Sequence, residues 1–290
     1  MDKNNKSIAV AVLCYALWGT LPVYWNLLRG VNPLFILCCR IVFAFVFMLG
    51  VLIVTGRMQA FRDTLKDKTK MRYLIPASFL VTFSWGLYIW AVNNGHILEC
   101  SLGYYINPLV AFLLAVVIFR ERFTKLQFAA VALAFSGVII SIVAFGSFPV
   151  VAVCLALSFA AYGVLKKKSH ADPAASIAIE SMIVAPFALV FPFVFIPESI
   201  STVTTVDLLL LIGGGAFTAI PLLLYARAVN EISFITVGFL QYISPSLTLI
   251  YGLLSGEKLT ISRIVSFVFV GLGLVVFSIA LIRKPKEEPA

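Results

Sequence analysis

Ten runs of about twenty apolar residues, separated by short polar breaks, occupy almost the whole of this chain. They fall at 7–27, 34–55, 73–93, 101–119, 126–145, 149–165, 174–196, 207–226, 234–254 and 262–282. A helix rising 1.5 Å per residue needs about 20 residues to cross a hydrocarbon core of about 30 Å. Composition agrees: of 290 residues, 61% are hydrophobic and 12% charged, where a soluble domain carries about 25% charged residues. The sequence predicts an all-α integral membrane protein with ten transmembrane helices and no soluble domain. The run at 149–165 is short and is expected to lengthen or tilt. Met1 to Lys6 carries the charge of a signal segment, but the apolar run that follows is too long for a cleaved one. It reads as a retained first helix.

A net charge of +9 invites a nucleic-acid partner. Placement of the charges removes that reading. Eighteen basic residues fall on one side: Lys3 and Lys6, six within 57–72, Arg120, Arg122, Lys125, Lys166, Lys167, Lys168, Arg227, Arg283, Lys284 and Lys286. The other side holds three, Arg29, Lys258 and Arg263, and Arg40 lies inside a run. This asymmetry matches the excess of Lys and Arg in cytoplasmic loops, with both termini cytoplasmic and a bacterial inner (plasma) membrane as the setting. In the longest loop, Met58, Phe61 and Leu65 recur at helical spacing among basic residues. Such a segment either lies along the inner leaflet against anionic lipid or is a solvated basic loop. The five cysteines, Cys14, Cys38, Cys39, Cys100 and Cys154, show no metal-ligand spacing and read as packing residues. No metal or cofactor is expected.

The chain also resembles itself. Leu13–Thr20 (LCYALWGT) matches Leu157–Val164 (LSFAAYGV) at a shift of 144. Trp90-Ala91 with Ser101–Tyr104 matches Tyr225-Ala226 with Thr236–Phe239 at 135, and Glu121–Thr124 with Gly137 matches Glu257–Thr260 with Gly273 at 136. Three blocks in the same order point to a duplication of five helices, residues 1–145 and 146–290. Five is odd, so the second copy is expected upside down. Two inverted five-helix repeats around a central cavity are a transporter architecture, with the site near the midplane.

The run Tyr88–Pro108 (YIWAVNNGHILECSLGYYINP) and the run Gly238–Pro245 (GFLQYISP) resemble the signature of RarD-type permeases, in the EamA branch of the drug/metabolite transporter superfamily. The resemblance covers essentially the whole chain. It implies ten helices with cytoplasmic ends and a cavity lined mainly by the first, third, fourth, sixth, eighth and ninth spans. It also implies export of small metabolites or drugs. The family is commonly labelled with chloramphenicol, which no residue here selects.

Ionisable groups inside a bilayer are costly and are candidate functional sites. Arg40 and Glu180 lie well within runs, each roughly 10 Å below its own surface, and look like counterparts under the inverted repeat. They read as gating or charge-recognition groups, or as structural links. The turn after the third run carries Asn93, Asn94, His96 and Glu99, and His96 beside Glu99 is a candidate proton-coupling group. Trp85 and Tyr88 share a helical face, while Tyr105 and Asn107 precede Pro108. That proline is expected to free a carbonyl near Tyr104, and Pro245, after Gln241 and Ser244, repeats the pattern. Trp18-Gly19 and Tyr162-Gly163 are repeat-equivalent, and Tyr225 belongs to a second repeated block. Aromatic faces with amide and hydroxyl groups suit a small-molecule substrate that is uncharged, zwitterionic or amphipathic. An interfacial aromatic belt with interhelical hydrogen bonds is the plainer account of the same residues. Gly213–Gly215 reads as a hinge or as a place where a neighbouring helix comes close, and Gly252 to Gly256 forms a GxxxG.

A secondary transporter, exporting amino acids, aromatic solutes or amphenicols, fits best. There is no P-loop, so ATP is not the direct energy source. An integral membrane enzyme acting on lipid is the alternative, but it needs clustered His, Asp, Glu or Cys at one face. His96 and His170 fall on opposite sides, so the chain does not read as an enzyme.

Overall fold

The structure, a computed structural model, describes residues 3–254 and 261–282. Its helices are α1 (Lys3–Asn26), α2 (Pro33–Val54), α3 (Met58–Lys66), α4 (Lys68–Asn93), α5 (Ile97–Phe119), α6 (Lys125–Phe145), α7 (Val150–Ser169), α8 (Pro173–Phe195), α9 (Glu198–Ser201), α10 (Thr205–Glu231), α11 (Phe234–Leu240), α12 (Ile243–Leu254) and α13 (Ile261–Ile282). Among the described residues, nine helices are long and apolar enough to cross a membrane, and a shorter apolar stretch follows α10. The protein is an all-helical, multi-span membrane protein. Its outer faces carry large apolar side chains such as Phe195 and Val143, 68% and 73% exposed, as a lipid-facing surface requires.

Local chemistry sets the helix starts. Asn32 caps α2 by accepting from the Leu34 and Phe35 amides, with Pro33 in the first turn. Asp172 caps α8 in the same way through Ala174 and Ala175, with Pro173 following. Proline there has no amide to leave unsatisfied, and its fixed φ suits the first turn. Thr124 with Gln127 and Thr204 with Asp207 form capping boxes on α6 and α10.

One expectation is met and two change. First, the short run at 149–165 lengthens as expected: it becomes α7, which continues to Ser169 and carries Lys166, Lys167 and Lys168 in its last turn. Cations are favoured beside unpaired C-terminal carbonyls, so the lysines extend the helix rather than ending it. Second, the 57–72 loop holds α3, but Phe61 is buried, and Met58 and Leu65 pack against the same core. The apolar stripe packs on the protein, α8 included. Third, the run at 234–254 is not one helix. It breaks at Gln241-Tyr242 into α11 and α12.

Pro245 explains where the break falls. It has no amide to offer the carbonyl four residues back, which belongs to Gln241. That carbonyl accepts from the Ser244 amide instead, at 3.1 Å. Pro108 was expected to act alike, yet α5 runs unbroken through it.

Packing pairs helices across the chain. α1 lies against α10 and α12, while α7 lies against α4 and α5; α2 packs on α8, and α6 on α13. The α6–α13 approach is tight and reciprocal. A Cβ on Gly137 would stand 2.8 Å from the Ser266 carbonyl, and one on Gly273 would stand 2.8 Å from that of Ala130. Gly215 admits the backbone of Phe43 on α2, so the glycine triplet serves close helix approach. Of the GxxxG at Gly252 to Gly256, Gly252 falls on α12 and Gly256 lies outside the described residues.

Candidate functional site

Three neighbourhoods gather the polar and aromatic residues of the interior. The first is an aromatic junction where α1, α7 and α10 meet. The Trp18 ring lies 5.5 Å from Tyr225 and 5.7 Å from Phe159, and Tyr162 stacks on Tyr225 at 5.9 Å and 16°. Tyr15 closes the group at 5.6 Å from Trp18. Gly163 makes room, because a Cβ there would collide with the Tyr225 hydroxyl. α1 is tied to the broken span. The Tyr15 hydroxyl donates to the Val237 carbonyl (2.8 Å), and the Ser244 hydroxyl donates to the Tyr15 carbonyl (2.6 Å). Gln241 is buried at the break itself.

Glu180 hangs from this junction. The Tyr162 hydroxyl donates to its Oε2 at 3.2 Å, and Lys166 Nζ lies 2.6 Å from its Oε1. Both side chains of the ion pair are buried. Lys166 had been read as a loop residue. Its signal was helical spacing, since it stands one turn beyond Tyr162 and so shares its face.

The second neighbourhood surrounds Arg40. Its Nε donates to Thr218 Oγ1 at 3.1 Å, and its guanidinium lies 4.2 Å from the Trp85 ring centroid and 5.0 Å from that of Trp25. The Tyr104 hydroxyl is within electrostatic reach. Tyr104 in turn meets Tyr88 at 5.9 Å, and both rings are partly exposed. Tyr105 turns the other way. It is buried edge-on against Phe267 of α13, and its carbonyl accepts from the Tyr242 hydroxyl. Adjacent helical residues point about 100° apart, so the sequence had the right turn of helix but the wrong tyrosine. Thr218, Trp85 and Glu180 all line a cavity of about 20 Å³ among α2, α4, α8 and α10, room for about one water molecule. Spans two and seven therefore contribute walls, beyond those the resemblance implied.

The third neighbourhood is at the two ends. In the α4–α5 turn, His96 Nδ1 lies 2.8 Å from Glu99 Oε1, and the His96 ring stacks on Trp90. Glu99 Oε2 accepts from the Val151 amide, holding the start of α7. Asn94 bonds the Trp90 carbonyl as a helix-end residue, and the Asn93 side chain lies outside the described set. Asn107 donates to the Ala156 carbonyl, and its Oδ1 has no hydrogen-bond partner among the described residues.

At the lysine-rich end, Glu121 accepts from the Phe234 and Ile235 amides at 2.7 and 2.9 Å, and Lys167 lies 3.3 Å from it while donating to the Ile232 carbonyl. Glu231 accepts from Ser7 at 2.6 Å and from Arg227 at 2.9 Å. Sequence reasoning marked Glu121 only as part of a repeated block. Glu231 sits at the repeat position of His96, which was the signal available for it.

The pattern of the EamA-like transporter family matches residues 5–143 and matches again at 148–279. The chain belongs to the EamA-like transporter family. Among relatives, this EamA protein is 37% identical over 288 residues to the uncharacterized transporter YojE of Bacillus subtilis, covering 97% of this chain and 96% of that one. It is 34% identical over 279 residues to protein RarD of Escherichia coli, covering 95% and 94%, and 36% identical to RarD of Salmonella typhi, covering 95% of each. It is a RarD-type permease of the EamA family. A solved crystal structure with 13% identity superposes with a TM-score of 0.74 over 97% of this EamA chain and 100% of its own, a likeness of fold. The protein is a multi-pass inner-membrane transporter set in a lipid bilayer, and the comparisons point to transport rather than enzymatic chemistry.

Proposed function

We propose that this permease exports small organic solutes by alternating access between two inverted halves, residues 1–145 and 146–290, with both termini cytoplasmic. Amino acids, aromatic metabolites and amphenicols are the classes such a lining admits. The observation that carries the reading is the aromatic junction, because both halves build it: Trp18 comes from the first, and Phe159, Tyr162 and Tyr225 come from the second. A solute held there touches both moving parts at once, which is what a site accessible from either side requires. The family pattern matching twice, the shared cap design of α2 and α8, and the reciprocal packing of α1 and α7 support the duplication.

Orientation rests on the basic residues. The end carrying Lys166–Lys168, Arg227 and α3 is assigned to the cytoplasm. There, the Glu121–Lys167 and Ser7–Glu231 links tie α1, α7 and the α10–α11 turn together.

The test is solute counterflow into proteoliposomes. Radiolabelled amino acids, aromatic acids and chloramphenicol are each offered against the same unlabelled compound inside. Saturable counterflow of one class, reduced at least tenfold in Trp18→Ala or Tyr225→Ala with normal protein incorporation, is the expected result. Wild-type-like counterflow in both variants would remove the junction from the transport path.

A further inference from the structure

Arg40 is a cation in the wrong place for a purely structural residue. It lies about 10 Å along α2 from its first turn, and it is partly exposed. A charge at that depth calls for a counter-charge. Among the described residues no carboxylate lies within 4.0 Å of it. Its hydrogen bond to Thr218 occupies Nε alone. The indole faces of Trp85 and Trp25 hold the guanidinium and stabilise positive charge, but they accept none of its N–H groups in the plane of the fork. Among the described residues the two terminal nitrogens thus carry no hydrogen bond and no ion pair. The other intramembrane cation, Lys166, is already matched by Glu180.

From this geometry we infer, resting on the transport reading above, that the solute carries a carboxylate and that the carboxylate docks on the terminal nitrogens of Arg40. A planar guanidinium presents two parallel N–H bonds that fit the two oxygens of a carboxylate. One uncompensated positive charge calls for one negative charge. A phosphate dianion would leave a charge over, with Lys166 already engaged. Thr218 and the two indoles fix the plane of the fork before the solute arrives, so little ordering is left to occur on binding. Tyr104 lies within electrostatic reach of the fork, and Tyr88 meets Tyr104 at 5.9 Å, so aromatic groups stand near for the rest of the solute. A neutral amphenicol, lacking the carboxylate, gains nothing from Arg40.

The test pairs acids with their amides. Full-length protein in detergent is titrated with acetate, benzoate, 3-phenylpropionate and L-phenylalanine, and with acetamide, benzamide, 3-phenylpropionamide and L-phenylalaninamide. Tryptophan emission and heat of binding are followed, since Trp25 and Trp85 frame the site. At least one acid should saturate, with its amide at least tenfold weaker. That discrimination should vanish in Arg40→Gln and survive in part in Arg40→Lys. Thr218→Val keeps the charge and should weaken the acid several-fold while leaving the amide unchanged, which separates docking from loss of fold. Equal affinity for acid and amide, discrimination that persists in Arg40→Gln, or no acid binding at all would each overturn the inference. Counterflow of an acidic solute that is intact in Arg40→Gln vesicles would sink the carboxylate docking and leave transport standing. Absence of counterflow for every solute would sink transport itself.

Discussion

Arg40 and Glu180 occupy matching places. Each stands eight residues after a capping side chain followed by proline, Asn32-Pro33 in one case and Asp172-Pro173 in the other. Their surroundings differ. Glu180 is sealed between Lys166 and Tyr162, with every charge accounted for inside the protein. Arg40 is braced by a hydroxyl and two indoles, with no carboxylate within 4.0 Å among the described residues. On the proposed duplication, one copy of the position serves as an internal tie, and the other carries a charge that no carboxylate among the described residues matches. Buried charge is thus an ambiguous sign of function until its partners are counted.

The largest effect should come from breaking the tie. Glu180→Gln or Lys166→Met alone leaves an unpaired buried charge and should cost about 3–5 kcal/mol of stability, whereas replacing both with apolar residues should recover most of it. Thermal unfolding in detergent reads both arms, and single variants as stable as wild type would erase the contrast. Arg40→Gln should come next and should look different. Stability should change by less than about 2 kcal/mol, because the lost cation–π contact is offset by relief of an uncompensated charge, while acid counterflow falls at least tenfold. A loss of stability as large as that of Glu180→Gln would make Arg40 a second tie. Thr218→Val sharpens the comparison further: it should raise the KM for an acidic solute several-fold and spare the maximal rate, measured by counterflow. The smallest effect belongs to the end of α4. Asn94→Ala should alter stability by no more than about 1 kcal/mol and leave transport unchanged, and a transport defect there would restore the turn to the site.

Much of the fold was legible because length and hydropathy decide it. Every apolar run became a helix or a pair of helices, and the positions of the caps were written in Asn32, Asp172, Thr124 and Thr204. The break at Gln241 was not legible. Pro22, Pro76, Pro108, Pro186, Pro192 and Pro221 all sit inside continuous helices, because neighbouring groups within a bundle can satisfy what proline leaves open. Whether a proline bends or breaks a span depends on partners such as Tyr15 and Tyr105, which lie more than a hundred residues away. The site was half legible for a similar reason. Residue type singled out Trp18, Arg40, Trp85 and Glu180, but only the rotation of each helix distinguishes Tyr104 from Tyr105. Lys166 was misplaced because three consecutive lysines look like a loop to any rule based on composition.

The broken ninth span has a consequence for how the chain enters the membrane. Unbroken, 234–254 is long and apolar enough to be inserted as a single helix. Divided, α11 has seven residues and α12 has twelve, about 10 and 18 Å of helix, and neither reaches across a core of about 30 Å. The groups that hold the break come from α1 and α5, through Tyr15, Ser244, Tyr242 and the Tyr105 carbonyl. The break is thus held by tertiary contacts to the first helix of the chain, made more than two hundred residues earlier, which an isolated segment entering the bilayer lacks.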